Sequence, residues 1–168
     1  MVPAPAEMPV RKYGLWEETC FEFFLAVKHA AHYWEFNLSP AGHWNVYRFA
    51  DYRQGMREEL AFTALAVGLR HQPDALGLTV ECSLDRIIPA DQPLDAAICA
   101  ILKHRDGEPT YWALIHPGPQ PDFHRRDSFI LQWARGTQRS NATTMAATEQ
   151  SSQTAQRTLR KQEPREKS

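Results

Sequence analysis

Residues Cys20 to Phe49 read CFEFFLAVKHAAHYWEFNLSPAGHWNVYRF, and the spacing of their side chains predicts the fold. Cys20–Val27 and Tyr33–Ser39 each alternate between two sets of side chains with a period of two, which is typical of strands rather than helices. The five residues between these segments are few enough for a hairpin loop. A Ser-Pro-Ala-Gly turn follows, so Trp44–Phe49 is predicted to return as a third strand. The segment therefore predicts an antiparallel meander.

The same alternation predicts which side chains share a face of the sheet. One face carries the aromatic side chains Phe21, Phe23, Trp34 and Phe36. The other face carries the polar side chains Glu22, Glu35 and Asn37. A wholly apolar face is typical of a core, whereas polar groups on aromatic-rich strands either line a pocket or contact solvent. The polar face is therefore the candidate binding surface.

Downstream of the meander, Asp51–Glu59 breaks the alternation and is predicted to be a loop. Further strands are predicted at Phe62–Leu69, Leu76–Leu84, Asp95–Lys103, Thr110–His116 and Ser128–Trp133, although the alanines of the first leave a helix possible there. An Asp-Gly pair between two of these apolar segments is a strong hairpin signal. About eight short strands separated by turns predict an all-β fold, an antiparallel β-sandwich that is jelly-roll-like.

The composition of the chain changes after Trp133. All eighteen aromatic residues lie between Tyr13 and Trp133. Residues 135–168 contain seven basic and three acidic residues and few large apolar ones, so they cannot bury enough surface to offset the entropy cost of ordering. We expect an N-terminal extension at 1–13, a β-sandwich domain at 14–134 and a disordered basic tail at 135–168.

Composition also argues against several classes of protein. The sequence contains no run of about eighteen apolar residues, so no membrane-spanning helix is predicted. The first residues lack the features of a signal peptide, so a cytoplasmic location is expected. The chain before the tail has a net charge of −5, which argues against nucleic acid as the partner. Cys20, Cys82 and Cys99 are widely spaced among apolar neighbours and are predicted to be reduced thiols in the core.

Motifs of nucleophilic, phosphate-binding and dinucleotide-binding sites do not occur in the sequence, so a non-catalytic protein is expected. The enzymatic alternative is a metal site at His116, Asp122 and His124, because two imidazoles and a carboxylate are the ligands of facial-triad iron centres. Their His-x5-Asp-x-His spacing differs from the usual arrangement. Hydrogen bonds that hold the surrounding proline-rich loop are the alternative role for these side chains.

The aromatic and polar residues between Leu15 and Arg53 form a second group of candidate site residues. Sugar rings stack on flat aromatic side chains, and their hydroxyl groups bond to carboxylates, amides and guanidinium groups. The residues that supply these groups are Trp16, Glu22, Glu35, Asn37, Trp44, Arg48, Tyr52 and Arg53. We expect Trp16 to stack on a ligand, and His124 with Arg125 to close the site from a later loop.

Four motifs in order resemble the DOMON-like domain proteins of bacteria, a group similar to the family 9 carbohydrate-binding modules. They are WEETCFEFFL at 16–25, YWEFNLSPAGHWNVY at 33–47, YWALIHP at 111–117 and PDFHRRDSF at 121–129. The resemblance implies a β-sandwich whose relatives bind sugars or haem. In the family 9 modules a Trp followed six residues later by a Glu contributes to the sugar pocket, as Trp16 and Glu22 would here. The second stacking ring would be Trp112 or Trp133.

The resemblance also bears on haem and on the start of the chain. Haem-binding relatives use a Met and a His as axial ligands, but Met8 and Met56 lie outside the predicted strands, so haem is the weaker expectation. Relatives also carry a strand or two before the segment that begins at Leu15, which predicts that this chain lacks its first strand. The leading expectation is a pocket for a carbohydrate or another polyhydroxylated small molecule. A metal-dependent enzyme, a haem protein and a protein-interaction module are the alternatives.

Overall fold

A computed structural model describes residues 5–72, 75–104 and 107–133, together with the backbone of 142–148 and 160–162. The strands in these residues are Cys20–Val27 (β1), Tyr33–Leu38 (β2), Trp44–Phe49 (β3), Arg57–Glu58 (β4), Ala66–His71 (β5), Ala75–Glu81 (β6), Leu94–Lys103 (β7), Pro109–Ala113 (β8), Leu131–Trp133 (β9), Ala142–Thr148 (β10) and Arg160–Gln162 (β11). Helix is limited, in this described part, to single 3₁₀ turns at Leu15–Glu17, Leu84–Arg86 and Arg126–Ser128. The predicted all-β class is confirmed.

The larger sheet contains eight of the described strands, in the order β11-β8-β7-β1-β2-β3-β4, with β9 pairing the free part of the β7 edge. Its neighbouring strands are antiparallel, so the predicted meander of β1, β2 and β3 is confirmed. Glu22 lies opposite Asn37, and Phe24 lies opposite Glu35. Because paired residues point to the same face of a sheet, these four side chains share one face.

The other face of this sheet packs against a smaller sheet of the described strands β10, β6 and β5. The aromatic side chains of β1 and β2 form the centre of the core between the sheets, where the Phe23 and Phe36 rings stack with 4.0 Å between centroids. Leu78 and Val80 of β6 are buried in the same cluster. Two sheets joined by one apolar core make the predicted sandwich.

Loops, rather than a sheet, cover the face of the larger sheet that carries Glu22 and Glu35, which we call the loop-covered face. Its second apolar cluster contains Phe24 of β1 and Tyr33 of β2. Phe123 and Phe129, which come from the connection between β8 and β9, pack on these side chains. The connection therefore encloses the polar residues of this face instead of leaving them in solvent.

Residues 5–13 run beside the outer edge of β3, where Arg11 forms a parallel bridge with Trp44. The Arg11 guanidinium donates to the Asn45 side chain at 2.6 Å and to the carbonyl oxygen of Phe62, also at 2.6 Å. It also lies 4.5 Å from the centre of the Trp44 ring. The N-terminal segment is thus attached to the edge of the sheet by its backbone and by the half-buried side chain of Arg11.

The predicted disordered tail at 135–168 falls mostly outside the described residues, but two strands occur within it. β10 pairs with β6 over seven residue pairs, and β11 pairs with β8 over three. The backbone groups at both edges explain how a polar segment with little apolar surface can add strands. Cys20 and Cys99 are buried and Cys82 is half-buried, and all three are free thiols, as predicted. None of the helical segments in the described part of the chain has the length and hydropathy that a membrane-spanning helix needs.

Candidate functional site

A cavity of about 400 Å³ opens on the loop-covered face, which is within the size range of small-molecule pockets. Its walls combine aromatic rings with two carboxyl groups, one guanidinium group and one imidazole. The lining residues are Trp16, Glu22, Glu35, Phe49, Arg53, Met56, Ile101, Tyr111, Pro121, Phe123 and His124. They come from β1, β2, β3, β7, β8 and three connecting segments, so only the folded chain assembles them.

The strands β1 and β2 place Glu22 and Glu35 at the base of this pocket. Both residues are buried, with 3% and 5% of their surface exposed. Asn37, which is fully buried, donates a hydrogen bond from Nδ2 to Oε1 of Glu35 at 2.7 Å. The thiol of Cys99 lies 3.9 Å from Oε2 of Glu22. The pocket therefore contains two buried carboxyl groups with neutral neighbours beneath them.

Burial raises the pKa of both carboxyl groups. For Glu35, the hydrogen bond from Asn37 and the charge of Arg53 oppose the larger effect of burial, and the pKa rises from 4.5 to about 7. For Glu22, burial and the charge of Glu35 raise the pKa well above its ordinary value, although the Cys99 thiol opposes this rise. Near neutral pH the pair holds protons that exposed glutamates would have released.

A hydrogen-bonded chain fixes the imidazole of His124 beside this pair. Oη of Tyr33 accepts a hydrogen bond from the Arg53 backbone N–H at 3.1 Å and lies 2.8 Å from Nδ1 of His124. We assign the phenol proton to the hydrogen bond with Nδ1, which gives Oη one accepting and one donating role, so that the neutral ring carries its hydrogen on Nε2. Nε2 lies 3.8 Å from Oε2 of Glu35, which is too far for a hydrogen bond.

Burial lowers the pKa of His124 to about 4, and the nearby charge of Arg53 adds to this effect while Asp122 opposes it. The imidazole is therefore neutral at physiological pH. With Nδ1 occupied by Tyr33, the ring offers one N–H group toward the space above Glu35. A hydroxyl oxygen of a bound molecule is a suitable acceptor for this group.

Arg53 and Asp122 form an ion pair at the rim of the pocket. The guanidinium of Arg53 donates to Oδ1 of Asp122 at 2.9 Å, and Tyr52 donates its hydroxyl proton to Oδ2 at 2.5 Å. Burial raises the pKa of Asp122, but these two hydrogen bonds outweigh it and hold the pKa below its usual value. Arg53 has a positive φ of 53°, a conformation that non-glycine residues seldom adopt and that recurs at functional sites.

Trp16 stands at one side of the pocket on the short 3₁₀ turn that precedes β1. Its ring packs edge-on against Tyr47, with 5.6 Å between centroids, and against Tyr13, with 5.1 Å between centroids. Tyr111 and Phe123 form another part of the wall, and their centroids lie 6.1 Å apart. Aromatic surfaces thus flank the two carboxyl groups.

The structure brings together five of the eleven predicted ligand-binding residues, Trp16, Glu22, Glu35, Arg53 and His124, as lining of this pocket. Asn37 lies behind Glu35 and supports its carboxyl group. Trp44, Arg48 and Trp112 lie on the opposite face of the sheet. Trp44 and Trp112 pack with the core between the sheets, and Arg48 lies near the Trp34 ring. Arg125 pairs with Asp127 at the surface, so these four residues do not line the pocket.

The alternative metal site is not assembled by the described residues. Asp122 is engaged by Tyr52 and Arg53, and Nδ1 of His124 is engaged by Tyr33. The His116 ring instead packs near Phe123, with 6.2 Å between centroids. Among the residues that the structure describes, no group of three His, Cys, Asp or Glu side chains could hold a metal ion.

Several lining residues were not among the predicted site residues: Phe49, Met56, Tyr111 and Phe123. Alternation within β3 and β8 does not reveal their role, because the phase of each strand relative to Glu22 depends on pairing across long connections. Tyr33 does not line the pocket, but it holds the imidazole of His124 there. It is two residues from Glu35 in the same strand, so its position on the polar face could have been read from the period of two.

No family model matches this chain, and neither the search of curated proteins nor the search of solved structures found a match. The proposals below therefore depend on the geometry of the pocket.

Proposed function

We propose that the pocket binds a small polyhydroxylated molecule, such as a monosaccharide or a related sugar derivative, without catalysing a reaction. The observation that carries this proposal is the placement of two buried carboxyl groups, Glu22 and Glu35, inside an aromatic-walled cavity of about 400 Å³. A cavity of this size, covered by loops, suits a single small ligand better than a polymer chain.

Each part of the pocket supplies one kind of contact with such a ligand. The flat faces of Trp16 and Tyr111 suit the apolar faces of a sugar ring. Glu22 and Glu35 accept hydrogen bonds from hydroxyl groups, or donate one when protonated. The Nε2–H group of His124 donates to a hydroxyl oxygen. The resemblance to DOMON-like proteins and family 9 carbohydrate-binding modules would agree with this proposal.

Isothermal titration calorimetry with a panel of monosaccharides and nucleotide sugars tests the proposal. Trp16→Ala and Glu22→Gln are expected to weaken binding by about tenfold or more. The first removes a stacking surface, and the second replaces a carboxyl oxygen that bonds to a ligand hydroxyl by an amide NH₂ group. Trp112→Ala and Glu81→Gln are the matched controls, since Trp112 packs on the other face and Glu81 is exposed on β6. Equal losses in the controls, or no binding by the panel, would contradict the proposal.

Haem is a second candidate because Met56 and His124 both line the pocket. The fit is poor because Nε2 of His124, the atom that would bind the iron, lies 3.8 Å from Oε2 of Glu35. Titration with haemin decides between them: a Soret band that Met56→Ala and His124→Ala both abolish would favour haem over the sugar ligand.

A further inference from the structure

The cationic groups near the pocket balance the charges of Glu22 and Glu35 only in part. Arg53 lines the pocket, but its guanidinium is bound to Asp122, whose negative charge offsets it. His124 has its Nδ1 occupied by Tyr33 and carries no charge at neutral pH. The charged side chains at the rim thus sum to zero, and the two glutamates at the base make the ionised pocket acidic.

No lysine or arginine among the described residues forms an ion pair with Glu22 or Glu35, and the imidazole of His124, 3.8 Å from Glu35, is neutral. The hydrogen bond recorded for the side chain of Glu22 comes from a thiol at 3.9 Å, which is a weak donor. Ionised carboxylates that are buried without a cation are strongly unfavourable. A positively charged group in the cavity would remove this cost.

The walls of the cavity also suit a positive charge. Trp16, Phe49, Tyr111 and Phe123 all line it. The face of an aromatic ring attracts a cation through its quadrupole, and this attraction strengthens where water is excluded. Aromatic rings around carboxylates are therefore a favourable setting for an ammonium group.

We propose that the ligand of this pocket carries a protonated amine, as an amino sugar or an amino polyol does, with the ammonium group on Glu22 and Glu35 and the hydroxyl groups toward His124 and the rim. This inference rests on the proposed function and narrows its ligand class. The ammonium group donates up to three hydrogen bonds, which the carboxylate oxygens accept.

Binding of such a cation is coupled to proton release. The groups that face the pair are His124 and Arg53. The other titratable groups around it are Asp122, Tyr33, Tyr47, Cys20 and Cys99. Because burial and mutual repulsion keep protons on Glu22 and Glu35, an arriving ammonium group favours the ionised carboxylates and displaces a proton into the buffer. A neutral sugar has no such effect.

Calorimetry with matched compounds tests the inference on the full chain. The probes are glucosamine, galactosamine and mannosamine, each compared with its parent hexose and its N-acetyl form. At about pH 6 a free amine of ordinary pKa is protonated. We expect at least one amino sugar to bind about tenfold or more tightly than both of its neutral counterparts, with close to one proton released, as measured in buffers of different ionisation enthalpy.

Glu35→Gln and Glu22→Gln are expected to remove this preference and the proton release while hexose binding remains measurable. Glu81→Gln, on the exposed surface of β6, is expected to change neither. Circular dichroism and thermal melting verify that each variant folds. Equal affinity for amino and neutral sugars without proton release would overturn the inference and leave the proposed function standing. Absence of binding by every probe would overturn both.

Discussion

The carboxyl group of Glu35 is subject to opposing influences. Burial favours its protonated form, whereas the amide of Asn37 and the charge of Arg53 favour its ionised form. Burial is the larger effect, and the resulting pKa of about 7 places the change of charge near physiological pH. A side chain with this pKa gives both the stability and the binding properties of the protein a pH dependence.

Glu35→Gln is expected to stabilise the protein at high pH. The pKa is 4.5 in an exposed setting and about 7 in the fold, so the native state holds a proton that the unfolded state has lost between these values. Stability therefore falls as pH rises through this window, by on the order of 2–3 kcal/mol. Glutamine resembles the protonated form and does not ionise. Urea denaturation at about pH 5 and pH 8 should show a smaller fall for the variant than for the wild type.

The titration of His124 also changes the stability of the protein with pH, so the effect of Glu35 is measured as the difference between the wild type and Glu35→Gln. The pKa of His124 falls from 6.5 to about 4 on folding, so this residue contributes stability that is lost as pH falls through this range. Below about pH 6.5 this effect opposes that of Glu35, whereas above it the carboxyl groups act alone among these residues. Glu81→Gln serves as the control with an exposed carboxyl group. An identical pH dependence in wild type and Glu35→Gln would contradict the prediction.

Tyr33→Phe is expected to lower the free energy of unfolding by about 1–2 kcal/mol. The substitution removes the hydroxyl group that accepts from the Arg53 backbone and donates to His124, so two partly buried polar groups lose their partner. Loss of a donor to Nδ1 should also raise the pKa of His124, which an NMR titration of the ring protons measures. Tyr13→Phe, in an exposed tyrosine, should change stability by no more than about 0.5 kcal/mol.

The turn between β2 and β3 sets the phase of the third strand. Its Gly42 has a φ of 90°, and its N–H donates to the carbonyl of Ser39 at 2.9 Å. This geometry pairs Leu38 with Trp44, which sends Trp44 to the core face and Tyr47 to the loop-covered face. Insertion or deletion of one residue in this turn would exchange the two faces of β3. The N-terminal segment touches the same turn at Pro9.

Gly42→Ala is expected to cost about 1–2 kcal/mol of stability, because the positive φ disfavours any side chain and the added Cβ would lie 3.2 Å from Pro9. Gly107→Ala is a matched comparison. Gly107 has the same φ of 90°, but a Cβ there meets no atom within 4 Å in the described structure. In thermal denaturation, the melting temperature of Gly42→Ala should be lower than that of Gly107→Ala. The reverse order would show that the Pro9 contact is unimportant.

At the scale of the molecule, the two sheets are completed by strands from distant parts of the chain. β10 covers an edge of β6 over seven residue pairs, although it follows β6 by about sixty residues. Uncovered strand edges offer backbone groups that pair with other chains. The basic segment after Trp133 thus contributes to the fold through its backbone, which its composition does not suggest.

Removal of residues 134–168 is expected to lower the melting temperature and to promote association, because it uncovers the edges of β6 and β8. Light scattering at increasing protein concentration measures the association. Removal of residues 163–168 alone, which lie beyond β11, is the control and should have little effect. Unchanged stability and dispersity in the longer deletion would mean that β10 adds nothing to the sandwich.

The sequence by itself determined the fold class, the first three strands, and the common face of Glu22, Glu35 and Asn37. A period of two is a local property, so it can be read from residues that are neighbours in the chain. Only the tertiary structure decided that this face forms a pocket covered by loops. Phe123 and His124 reach it from a segment about ninety residues after Tyr33. The tertiary structure also decided that Trp44 and Trp112 lie on the opposite face. The pairing of each strand with its neighbours sets which of its side chains point to which face, and composition does not predict this pairing.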